Sequence, residues 1–257
     1  MLSEGVAEER ADLLEAVEIS AGYGREAIVK RISIGVSRGH ATLVIGPNGS
    51  GKSTLVKAIT GELPLMTGSV HLRGADISTW SEERRAAAGV GYVPQSRDVF
   101  PGLTVLENLE MGGYRLGRAG LREQIDRILG TFPQLRALLK RPARQLSGGE
   151  RKLVGVARAL VPDPELMILD EPTANLSPRV AETVLEQVVT GLCTLGHGVL
   201  LIEQRVAPAL KRATSVFVLV DGELRHTGPA ADLRDLADLS ELFFGPRSAL
   251  TRNSSSS

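Results

Sequence analysis

The sequence predicts an α/β fold around a parallel sheet, and three observations carry that prediction. Short apolar, β-prone runs alternate with helical patterns along most of the chain. The run Leu166 to Leu169, bounded by Pro-Asp-Pro and Asp-Glu-Pro, is apolar without alternation, as expected of a strand covered on both faces. A glycine-rich turn from Gly46 to Gly51 stands between an apolar run and a helical pattern, the strand-loop-helix arrangement of α/β phosphate sites.

In chain order, Leu13 to Ile19 and Ala27 to Val36 read as two early strands separated by a break at Gly22-Tyr23-Gly24. Ala41 to Ile45 is the next strand, and Ser53 to Thr60 a helix closed by Gly61. Ser81, followed by Glu82 and Glu83, caps a brief helix whose acidic first turn suits the helix dipole, and Val90 to Val93 is a strand. Thr104 and Glu107 have the spacing of a capping box, and Leu121 to Leu129 has the pattern of a second amphipathic helix. The stretch from about 96 to 145 therefore reads as a mainly helical insertion. Ser177-Pro178 opens a helix whose apolar positions, Ala181 through Leu192, repeat until Gly196. Val199 to Ile202 and Ser215 to Val220 are further strands, the latter ending at an Asp221-Gly222 turn. No internal repeat is evident.

Composition narrows the classes. Thirty basic and thirty acidic residues cancel, so no net charge draws the chain to nucleic acid or anionic lipid. The single Cys193 excludes an intrachain disulfide and a multi-cysteine metal site; its place on an apolar helix pattern predicts core packing. No apolar run approaches the roughly 18 residues that cross a bilayer, and the start of the chain is acidic, unlike a signal peptide. A cytosolic protein is expected. None of the four histidines has metal-ligand spacing, and the basic clusters Arg84-Arg85 and Arg136 to Arg144 read as solvated helix faces.

Chemistry concentrates at a few places. Gly46-Pro47-Asn48-Gly49-Ser50-Gly51-Lys52-Ser53 matches G-x-x-x-x-G-K-[ST], with Thr54 next in the helix. Backbone N–H groups and the helix start would cradle a β-phosphate, Lys52 would reach the β- and γ-phosphates, and Ser53 would ligate Mg²⁺. Asp170 and Glu171 end a buried strand, the ligand edge of a parallel sheet. Asp170 suits holding Mg²⁺ directly or through water, and Glu171 suits polarising the water that attacks the γ-phosphate. Leu146-Ser147-Gly148-Gly149-Glu150 places two glycines behind a Ser cap at a helix start, a second anion-binding arrangement.

This last motif resembles the LSGGQ signature of ABC ATPases, with Glu150 in its final place. The resemblance, carried by motifs from Tyr23 to Gln204, implies a P-loop NTPase of the ABC ATPase fold: a RecA-like core, an antiparallel β subdomain and a helical signature subdomain. It implies a single domain over 13–248 with the helical part at about 96–160, a flexible stretch at 1–12 and a disordered tail at 249–257. It further implies that the signature completes the ATP site of an opposite subunit. Tyr23 takes the place of the family's adenine-stacking aromatic, with an ordinary packed tyrosine as the rival reading. Gln95, in Gly91-Tyr92-Val93-Pro94-Gln95, matches the Q-loop, whose amide bonds Mg²⁺ or its water.

Two positions depart from the family pattern. Ser177 stands where the D-loop carries an acid, and Gln204 where most members have the switch histidine. A glutamine amide can donate to a γ-phosphate but cannot become cationic. Gln204 is therefore expected to sense nucleotide with weaker catalysis, a partner chain supplying a histidine at the other site. The segments Phe100 to Leu109, Glu110 to Tyr114 and Leu242 to Gly245, with the Glu203-Gln204 pair, resemble the second ATPase of branched-chain amino-acid importers. That resemblance implies ATP-driven uptake of branched-chain or related amino acids, amides or urea. The implied partners are a second ATPase, with a heterodimer favoured and a homodimer as alternative, and transmembrane permease subunits. An extracytoplasmic solute-binding protein would act indirectly, nucleic acid is not expected, and the implied location is the cytoplasmic face of the inner membrane. The alternatives are another ABC transporter, exporters included, and a low-turnover regulatory module.

Overall fold

The computed structural model describes residues 11–96, 98–233 and 243. Two sheets organise them. Strands β1 (Leu14–Tyr23), β2 (Glu26–Val36), β4 (Thr67–Leu72) and β5 (Ala75–Asp76) form an antiparallel sheet in the order β2-β1-β4-β5. The second sheet has the order β10-β9-β3-β8-β7-β6, where β3 is Ala41–Ile45, β6 Val90–Val93, β7 Leu166–Asp170, β8 Gly198–Glu203, β9 Ser215–Val220 and β10 Glu223–Pro229. Its strands are parallel except for the antiparallel edge strand β10.

The central strands are uninterruptedly apolar because both of their faces are covered. Leu43 and Ile45 join one core cluster and Val44, between them, joins the other; Met167 and Leu169 divide from Leu166 and Ile168 in the same way. On one side lie β1, β2, β4 and helix α1 (Lys52–Thr60), on the other the helical subdomain and the helices after β7. Helix α2 (Glu82–Ala87) starts at Ser81, whose hydroxyl accepts from the Arg84 N–H. Between β6 and β7 come α3 (Val105–Gly112), α4 (Arg118–Thr131), two short 3-10 turns and α5 (Gly148–Leu160). The capping box expected at Thr104 and Glu107 forms in both directions, a device worth about 1 kcal/mol.

The structure differs from expectation at several places. Pairing of β1 with β2 continues to Tyr23 opposite Glu26, so the turn is at Gly24 and Arg25 and not at 22–24. The helix after Ser177 is α6 (Pro178–Leu185), a π turn (Glu186–Thr190) and then α7 (Gly191–Thr194), and Ser177 makes no side-chain cap bond. His226 lies in the edge strand β10. Cys193 is partly buried against the core, where desolvation raises its thiol to about 11. The reading of Arg84-Arg85 as a solvated face is corrected at Arg85, which is only 1% exposed. Its guanidinium donates to Ala58 and Ile59 carbonyls at the end of α1, and to Ser78 and Trp80 carbonyls, so it caps the phosphate-loop helix from behind. Arg84 lies over the Trp80 ring instead. The expected mobile stretch at the start of the chain, apart from 11 and 12, lies outside the described residues. So do the expected tail and the Leu242 to Gly245 motif except Phe243. Among the described residues no helix is long and apolar enough to cross a membrane.

Candidate functional site

Four parallel strands stop level with one another, and the segments leaving their ends make the site. Ile45 is in register with Glu203, Asp170 with Ile202, and Val93 with Leu169. The segments beginning at Gly46, Glu171, Gln204 and Pro94 therefore converge on one edge of the sheet.

The phosphate loop is shaped by close packing. Gly51 caps α1 at φ +102°, a conformation costly for any residue with a Cβ, and a Cβ there would sit 2.8 Å from Val29 Cγ1. Ser50 and Thr54 are buried, Asn48 and Gly49 face outward, and Ser53 is exposed at the start of α1. Lys52 is buried and its Nζ donates to the Gly46 and Pro47 carbonyls at 2.8 and 2.9 Å. Burial lowers the Lys52 pKa, against which Glu171 and Asp170 hold it up.

The acids answer this cation. Asp170 is buried at the end of β7, and burial, with its neighbour Glu171 second, raises its pKa. Tyr92 Oη donates to Asp170 Oδ2 at 3.4 Å, and desolvation pushes the Tyr92 phenol up, keeping it a donor. Glu171 occupies the left-handed region at φ +47°, an uncommon conformation for a non-glycine residue that bends the chain out of the strand. Two amides take its carboxylate: Gln95 Nε2 donates to Oε2 at 2.6 Å and Gln204 Nε2 to Oε1 at 2.5 Å. The candidate residues Gln95, Asp170, Glu171 and Gln204 are thus brought together.

A family model described as ABC transporter matches residues 29–174. The chain is 38% identical over 233 residues to the probable branched-chain amino acid transport ATP-binding protein LivF of Archaeoglobus fulgidus, covering 91% of this chain and 99% of that protein. It is 33% identical to the high-affinity branched-chain amino acid transport ATP-binding protein BraG of Pseudomonas aeruginosa, over 85% of this chain and 94% of that one. The chain belongs to the ABC transporter family.

It is an ATP-binding subunit of that family, an ATPase that works with transmembrane permease components. An ATP-binding cassette of an ABC transporter solved in its ADP conformation superimposes with a TM-score of 0.82 at 29% identity, covering 91% of this chain and 99% of that one. The fold is accordingly that of the ABC ATPase.

In this ABC subunit the signature is not part of the cluster around Glu171. Ser147 and Glu150 cap each other at the start of α5, with the Ser147 N–H donating to Glu150 and the Glu150 N–H to Ser147 Oγ. Leu153, Val156, Ala157 and Leu160 bury the other side of α5. Tyr23 stands at the end of β1 with 53% of its surface exposed. Toward Mg²⁺, the donor set fits by its chemistry: the Ser53 hydroxyl, the Asp170 carboxylate and the Gln95 carbonyl are hard oxygen ligands.

Lys152 and Glu203 have no chemical role in the sequence reading. Lys152, buried on α5, donates to the Gln95 backbone carbonyl at 2.8 Å and pairs with Asp98 at 3.2 Å, tying the signature helix to the Gln95 loop. Glu203, 1% exposed, accepts from the Thr173 N–H and hydroxyl. The signals were present: a lysine beside the apolar positions of α5, and an acid ending an apolar strand.

Proposed function

We propose that this ATPase energises import of branched-chain or related hydrophobic amino acids, amides or urea, as one half of an unequal ATP-sandwiching dimer. The reading of the chemistry is carried by one observation: Gln95 and Gln204 converge on the carboxylate of Glu171 beside the phosphate loop. In this reading residues 46 to 54 bind the phosphates, Tyr23 stacks on adenine, and Ser53, Asp170 and Gln95 would hold Mg²⁺, which supplies charge neutralisation at the phosphates. Glu171 orients and polarises the attacking water, Gln204 senses the γ-phosphate, and Ser147 to Glu150 offer N–H groups to the nucleotide of a sister ATPase. The branched-chain amino-acid part of the cargo class is supported by the names of two relatives, both branched-chain amino acid transport ATP-binding proteins, at 38% and 33% identity. The same reading takes 13–248 as one domain with its helical part at about 96–160, held through permease subunits at the cytoplasmic face of the membrane.

Native purification through a tag on this chain, coupled to mass spectrometry, tests the assembly. A permease pair with a sister ATPase is expected, and the Glu171→Gln variant should accumulate as an ATP-locked dimer. Recovery with ribosomes or DNA, or a Glu171→Gln chain that behaves as the parent does, would overturn the reading.

A further inference from the structure

The end of β8 is fastened to the segment after Glu171 at two points. Glu203 Oε1 accepts from Thr173 N and Oγ1 at 3.0 and 2.7 Å, and Arg205 Nη2 donates to the Leu176 carbonyl at 2.6 Å. Gln204, between these two fasteners, is the residue whose amide meets Glu171. The clamped segment is a tight turn: Leu176 N–H bonds the Thr173 carbonyl, and Asn175 lies at φ +63°. Leu176 in turn is buried against the signature, since a Cβ added to Gly148 would lie only 2.8 Å from Leu176 Cδ2. Gly149 is packed as closely on Val180, at the start of α6. Among the described residues Arg205 forms no ion pair, so its hydrogen bond to this carbonyl is its specific polar tie.

We propose that Arg205 is a positioning residue that couples the switch position of this chain's own ATP site to the signature it presents to the opposite site. The physical route is continuous. Gln204 has two alternative acceptors, the Glu171 carboxylate and a γ-phosphate oxygen, and moving between them shifts the end of β8. Arg205 carries the shift through one hydrogen bond to the Leu176 carbonyl, and the Leu176 side chain carries it to Gly148 because no space separates them. Ser177 lacks the acid that would make a polar contact at this turn, and the Arg205 bond ties the turn to the switch strand from within the same chain. The proposal rests on the roles given above to Gln204 and to Ser147 through Glu150.

Hydrogen exchange on the purified chain, at a concentration where light scattering shows monomer, separates the two levels. A non-hydrolysable ATP analogue should protect peptides covering 46–54 and 204, and should also change exchange in peptides covering 147–150. In Arg205→Ala and Arg205→Met the first effect should persist and the second disappear, with Arg205→Lys restoring it through its remaining donor. ATP turnover of the natively purified complex should change in parallel: kcat about tenfold lower in the Ala and Met variants, KM within about twofold, and recovery in Lys. Unchanged coupling in Arg205→Met, or no response at 147–150 in the parent, overturns the proposal. Lack of protection at 46–54 or 204 would instead show that the underlying assignment of the site is wrong, and the proposal would fall with it.

Discussion

Gln204 donates to Oε1 of Glu171 while Gln95 holds Oε2, so both oxygens of the acid proposed above to polarise water are engaged by side-chain amides. Each carboxylate oxygen keeps a further lone pair, so the two amides orient Glu171 without blocking its proposed role of taking a proton from water. Removing the Gln204 amide leaves Glu171 with a single tether. Gln204→Ala should lower kcat roughly 10- to 100-fold with ATP affinity changed by less than about threefold, because the lost bond acts on orientation more than on binding. Gln204→His should add an inflection near pH ~6.5 to the turnover profile, the ordinary imidazole range, which the parent lacks. Steady-state rates from pH 5.5 to 8.5 check both.

Arg85 is a buried cation whose partners are backbone carbonyls. Replacing it by Met leaves the Ala58, Ile59, Ser78 and Trp80 carbonyls without this donor. Each unsatisfied buried group costs about 1–3 kcal/mol, and local relaxation recovers part, so Arg85→Met should lose roughly 3–4 kcal/mol. Arg85→Lys keeps the charge but not the fork and should fall between. Urea unfolding monitored by Trp80 fluorescence reports both, since Trp80 is the only tryptophan and supplies one of the carbonyls.

Burial raises the Glu203 carboxyl above its ordinary range, and the Thr173 hydrogen bonds only partly oppose this. A carboxyl raised on folding contributes stability below its unfolded value, and that contribution is lost as pH rises through the folded one. Glu203→Gln removes the buried charge and keeps an acceptor for Thr173. The variant should therefore gain on the parent in Tm as pH rises from about 4 to 8. Thermal melts at pH 4, 6 and 8 would show the reverse order if the hydrogen bonds outweighed desolvation.

β10 was missed from the sequence for a physical reason: exposed residues alternate with half-buried ones at the sheet edge, so it lacks the apolar run that marked β3, β7 and β8. The π turn at Glu186–Thr190 preserves the apolar face and was invisible for that reason, since Val184, Leu185, Val188, Val189 and Leu192 are all buried. Arg85 was misread because its partners lie elsewhere: adjacent basic residues on a short helix say nothing of carbonyls 26 and 27 residues away.

The sequence by itself determined the phosphate loop, the acid pair, the signature cap and the α/β order, because each is a local matter of backbone geometry, capping or burial read over a few residues. Only the tertiary structure decided how they are joined. Gln95 and Gln204 meet Glu171 across 76 and 33 residues because parallel pairing brings β6, β7 and β8 to one level. Arg205 reaches Leu176 across 29 residues because the segments after β7 and β8 run side by side. Such contacts depend on strand register, which neighbouring residues alone do not encode.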